Sequence, residues 1–163
     1  MRRSVYVVAI VLFAFTLLFA QSEKSGKAKG KAKPAGHEAK LVAPEQLMWS
    51  PLVPGIEKAV VTGDPSKPGM FVLRLRATDD AKIMPHWHPT DEYVTVLSGD
   101  VSVGMGKKWD DSQLKPGPVH AVAMMPAHMP HYAQFKKGAE VQVHGMGPFA
   151  INYVNPADDP NKK

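Results

Sequence analysis

Residues 84–99, MPHWHPTDEYVTVLSG, set His86 and His88 one residue apart, with Glu92 four residues on and Gly99 seven beyond that. Along an extended strand, residues i and i+2 share a face roughly 6–7 Å apart. The two imidazoles can therefore grip one ion from the same side. Pro89, Thr90 and Asp91 supply a tight reversal, so the stretch reads as a β-hairpin with Glu92 opening the next strand beside the pair. Two neutral imidazoles and a carboxylate suit Zn, Fe(II), Mn(II), Ni or Cu. A lone histidine is ordinarily a satisfied or exposed side chain; this spacing at a strand–turn–strand reads as a mononuclear metal site.

The flanking chain is β-like throughout. MFVLRLRA (70–77) alternates Phe71, Leu73 and Leu75 against Arg74 and Arg76, and DVSVGMG (100–106) alternates Val101, Val103 and Met105. Further short runs follow at 92–98, 119–125, 131–137, 140–146 and 149–154, with Gly, Pro and Asp in the gaps. Gly99–Asp100, between two alternating runs, is a hairpin signal. No stretch keeps a helical i, i+3, i+4, i+7 pattern for three turns. Many short strands separated by turns predict an all-β sandwich or barrel.

The N-terminus belongs to a different regime. Met1–Arg3 is basic and Ser4 to Ala20 is almost wholly apolar. A basic start, a short apolar run and a small residue at its end predict a signal peptide over 1–20, hence export to a periplasmic or extracellular compartment. Membrane association follows only if that segment is retained as an anchor. Residues 21–40, QSEKSGKAKGKAKPAGHEAK, have little to bury and predict a disordered tether. Six Lys against two Glu place the positive charge there, whereas residues 41–163 carry 12 Lys and Arg against 13 Asp and Glu. That folded part is nearly neutral, so its charge gives no footprint for nucleic acid. With no Cys, it stands without disulfides. About 120 residues is an ordinary size for one domain.

His86-x-His88-x3-Glu92-x6-Gly99 resembles the first motif of the cupin superfamily. A second cupin motif, roughly Pro-x-Gly-x2-His-x3-Asn, is similar to Pro126–Phe135, in which Pro126 and His131 match its spacing. His128 stands where that motif has Gly, and Phe135 where it has Asn. The resemblance spans roughly residues 57–154. It implies a double-stranded β-helix, or jelly-roll barrel, with one divalent ion bound by His86, His88, Glu92 and His131. The register favours His131 as the last ligand and leaves His128 as a pocket residue, a candidate catalytic group, or the tip of a turn. Fe(II) or Mn(II) is the implied metal, with Zn, Ni or Cu as alternatives, and a homodimer is the implied assembly.

Four protein donors leave a six-coordinate ion two positions for water, O2 or a chelating substrate, the arrangement of a catalytic metal. Arg74 and Arg76 share a face; directed inward they would clamp a carboxylate, and directed outward they would be solvated. Met105 is a core filler or a substrate contact. Trp87 and Tyr93 are expected to face away from the ion, and His120 and His144 to be surface or core histidines. Two function classes fit. One is a small metalloenzyme of dioxygenase-like, decarboxylating or isomerising type, acting on a small oxygenated or acidic molecule. The other is a non-catalytic carrier of a small ligand or metal ion in the cell envelope.

Overall fold

The computed structural model describes residues 39–162. The apolar run at 4–20 and nearly all of the 21–40 tether lie outside the described residues. Eleven strands follow in order. They are β1 Ser50–Val53, β2 Ile56–Thr62, β3 Gly69–Ala77, β4 Ala81–Trp87, β5 Glu92–Ser98 and β6 Val101–Met105, then β7 Lys115–Gly117, β8 Val122–Met125, β9 His131–Phe135, β10 Glu140–Gly147 and β11 Asn152–Tyr153. They build two antiparallel sheets, ordered β1-β2-β3-β10-β5-β8 and β11-β4-β9-β6-β7.

Period-two alternation decides what each sheet presents. β3 buries Phe71, Leu73, Leu75 and Ala77, and β10 buries Val141 and Val143 beside it. Val96 from β5 completes that inner face, and Ile83, Val101 and Phe135 meet it from the other sheet. Burying a side chain of this size contributes about 1.5–3 kcal/mol, which is what holds a disulfide-free sandwich together.

Two expected hairpins are absent from this architecture. β5 pairs with β10 and β8, whereas β6 pairs with β9 and β7, so Gly99–Asp100 carries the chain from one sheet to the other. Gly99 adopts φ +70°, and a Cβ on it would stand 2.6 Å from Cα of Ala139, so the crossing requires glycine. β4 and β5 likewise lie in opposite sheets. A Gly-Asp or Pro-Thr-Asp reversal specifies a sharp bend; it does not say which sheet the next strand joins. The run at 119–125 starts its strand only at Val122, after His120 at φ 72°, and the run at 149–154 shortens to Asn152–Tyr153.

Phe71 is fully buried and packs against Phe149 with ring centroids 4.9 Å apart. Phe71→Ala is expected to lower unfolding stability by about 3–5 kcal/mol in urea titration, with little change in far-ultraviolet circular dichroism at zero denaturant.

Candidate metal centre

β4 buries Ala81 and Ile83 on the inner face, then changes phase. Ile83 pairs with Ala133 and His86 with His131, so three steps on β4 match two on β9, leaving one extra residue at Met84–Pro85. Pro85 has no N–H to lose from the ladder and suits such a bulge. Strict alternation past Ile83 would turn Pro85 and Trp87 inward and both histidines outward. With the bulge, His86 and His88 face in, and Trp87 packs its ring 5.0 Å from that of His128. β9 contributes His131 directly across from His86, and β5 brings Glu92 from the opposite sheet. All four are buried, with 4%, 3%, 3% and 7% exposure for His86, His88, His131 and Glu92.

The rings are held in one tautomer. Nδ1–H of His86 donates to the Met84 carbonyl at 2.8 Å, that of His88 to Ala150 at 2.8 Å, and that of His131 to Met129 at 3.0 Å. A carbonyl only accepts, so each partner assigns the proton to Nδ1 and leaves Nε2 with a bare lone pair in the neutral ring. Ligand atoms of the three histidines lie within 4.8 Å of one another. Oε2 of Glu92 flanks this trio, 3.4 Å from Nε2 of His88 and 3.2 Å from Nε2 of His131. Those two nitrogens are buried and make no hydrogen bond, the carboxylate notwithstanding.

The charges in this cluster are mismatched without a cation. Burial, then the neighbouring His131 and His88, push the His86 imidazole down to about 3, so it stays neutral. Burial alone would raise the Glu92 carboxyl, but His131 and His88 outweigh it and hold it at about 2. A neutral Nδ1–H imidazole offers Glu92 no proton at Nε2. Three convergent lone pairs and a buried carboxylate thus fit a divalent ion of the imidazole- and oxygen-binding kind.

A cavity of about 370 Å3 opens beside the cluster, touching His86, His88 and Glu92. A smaller one of about 40 Å3 lies behind it, touching His86, Glu92 and His131. Neither is lined by the other residues proposed from sequence. Arg74 and Arg76 stand on the outer face of β3, opposite Leu73 and Leu75, and pair with Glu140 at 3.1 Å and Glu57 at 2.8 Å. They are therefore no substrate clamp. Met105 is 46% exposed. His128 sits in the left-handed region, φ 62°, at an exposed turn; it serves the site through its backbone N–H, which donates to the His88 carbonyl at 2.8 Å. Tyr93 stacks on His144 on the outer face, 5.3 Å between rings.

Sequence reasoning missed two cavity residues. Tyr153 of β11 pairs with His86, its ring 6.1 Å away. Burial, then Asp159 and Asp158, push its phenol above the usual range, so it remains a proton donor. Phe149 lies nearly flat on His88, 4.2 Å between centroids at 19°. Nothing in the residue order near 149–153 announces either role; both follow from the chain returning past β4.

The arrangement of two antiparallel sheets is shared with solved proteins of low identity. The polyketide cyclase RemF from Streptomyces resistomycificus superposes with a TM-score of 0.61 at 14% identity, covering 76% of this chain and 90% of that one. An RmlC-like cupin from Shewanella frigidimarina gives 0.55 at 15%, covering 67% and 91%. This is a cupin fold. Oxalate decarboxylase from Bacillus subtilis, described with Mn(II) centres, gives 0.54 at 19%, covering 72% of this chain and 33% of that one. No family model matches the chain, and no curated protein matches it. Within the cupin jelly roll, the imidazole cluster of this chain lies between the sheets, near the end where β11 joins β4.

Acid should weaken the metal-free domain. An unfolded His86 takes up a proton near 6.5, whereas the folded one resists it down to about 3. The unfolded state therefore binds more protons across that window, and stability falls as pH drops through it, by up to about 1.4 kcal/mol per unit. Glu92 acts with the same sign below 4.5. Urea unfolding of the metal-free domain at pH 7.5 and pH 5.5 should show the loss, and His86→Leu should flatten the slope.

Proposed function

We propose that this domain is a mononuclear metalloenzyme. It holds one divalent ion on His86, His88, His131 and Glu92, and transforms a small oxygenated molecule in the adjoining cavity. The reading rests above all on three Nε2 lone pairs converging on one buried point beside a carboxylate. With no thiolate in the set, Fe(II) or Mn(II) suits the donors, and Zn, Ni or Cu compete by affinity. When bound, the ion supplies Lewis-acid polarisation of a chelated oxygen. The rest falls to the chain. Backbone carbonyls keep the rings from rotating, Glu92 offsets the ion's charge, and the hydrocarbon wall limits water. Tyr153 is placed to donate a hydrogen bond to a substrate oxygen. Dioxygenase-type, decarboxylating or isomerising chemistry all suit such a centre, and the likeness to a cyclase and a decarboxylase supports that range without choosing within it.

A carrier without turnover is the second reading. It is favoured by the lack of a free proton acceptor among the residues named at the histidine end: Glu92 is taken as a ligand, Tyr153 is a donor at neutral pH, and the other lining carboxylate is Asp159. Metal analysis after exhaustive dialysis should find close to one ion per chain. His131→Asn should weaken retention by more than the roughly 10–100-fold that loss of an orienting partner costs. Oxygen uptake or CO2 release with Fe(II)- or Mn(II)-loaded protein over catechols, flavonols and short diacids then separates the readings. Tight ligand binding with no turnover under any loading would favour the carrier.

We further infer export, on the basic start and apolar run of residues 1–20, and, on the cupin resemblance alone, a homodimer. N-terminal sequencing of protein recovered from the cell envelope should begin near Gln21. Sedimentation should report twice the chain mass.

A further inference from the structure

We infer that the molecule taken by this cavity is uncharged and largely apolar, about the size of one ring with a branched substituent, and presents its oxygens only at the ion-binding end. The inference deepens the metal-centre reading and rests on it for the position of those oxygens. Its own support is the wall. Leu73, Leu75 and Val143 supply hydrocarbon from one sheet, and Ile83 from the other. Phe149, lying against His88, carries the apolar surface up to the imidazoles themselves.

Size and charge point the same way. A cavity of about 370 Å3 falls within the range of small-molecule sites and is more than twice the roughly 150 Å3 that holds a benzene. A two-carbon diacid would leave most of it unfilled. The two arginines able to clamp a carboxylate are turned outward and paired with Glu140 and Glu57. Among the described residues lining the cavity, Lys58 is the one ammonium or guanidinium group, and Asp159 lines the same space with the opposite charge. A carboxylate set against the hydrocarbon of Leu73, Leu75, Ile83 and Val143 would lose its water and find no donor there. Neutral handles are present instead in Ser66, Tyr153 and Asn161.

Matched ligand pairs test this directly. On metal-free protein, methyl resonances of Leu, Ile and Val are followed while 4-tert-butylphenol or 4-hydroxybenzoate is added. On Mn(II)-loaded protein, calorimetry compares 4-tert-butylcatechol with 3,4-dihydroxybenzoate, which share a chelating diol and differ in the tail. The tert-butyl member should bind at least about tenfold tighter in each pair. Val60→Asp, a substitution at a partly exposed wall position, should erase that preference while leaving the melting curve cooperative. Equal or reversed affinities, or a preference untouched in Val60→Asp, would overturn the inference. Metal retention is read on the same samples. Protein that loses its metal yet keeps the phenol preference would sink the metal centre and leave the cavity's chemistry standing.

Discussion

The carbonyl oxygens of Met84, Ala150 and Met129 each accept a hydrogen bond from Nδ1–H of one buried imidazole, and these bonds set which nitrogen each ring turns toward its neighbours. Were the His88 or His131 ring to flip, it would turn N–H instead of a lone pair toward Glu92, which would gain a neutral donor. With these pinned, a buried carboxylate faces the unshared electron pairs of His88 and His131, an arrangement relieved by a cation. Two of the carbonyls lie two residues upstream of their own histidine. The third, from Ala150, reaches His88 across 62 positions of sequence. The segment after β10 is therefore part of the centre's scaffold, although it contributes no ligand.

Polar and apolar chemistry are sorted by face. Inside, alternation on β3 and β10 gives hydrocarbon, broken where β4 and β9 turn imidazoles inward. Outside, Arg74 and Arg76 are matched by Glu140 and Glu57, and Arg76 also lies over the Trp49 ring at 4.2 Å. Such half-exposed pairs contribute little stability. Their consequence is that this guanidinium charge is kept out of the cavity.

Much of the centre was legible because metal ligands need particular atoms at particular spacings. His86, His88, Glu92 and His131 stand out in the sequence for that reason, and the structure brings them together. The alternation in 70–77 and 100–106 likewise exposed two interior strands. Less visible was anything set by topology. Gly99–Asp100 bends the chain sharply in a hairpin or a sheet crossing alike, so residue type cannot distinguish them. Arg74 and Arg76 share a face whichever way β3 is turned; packing of Leu73 and Leu75 decides it. His128 sits in a motif position, but its left-handed backbone throws the ring outward. Tyr153 and Phe149 are ordinary aromatics until β11 lays them beside β4.

The extra residue at Met84–Pro85 has a bearing on how such chains diverge. The motif letters from His86 to Gly99 would survive intact in a descendant that had lost one residue just upstream, yet an indole would then occupy the interior and the imidazoles would face water. Two chains with the same signature can thus differ in whether they hold an ion at all. The interval between Ile83 and His86, outside the signature, is where that difference would be written.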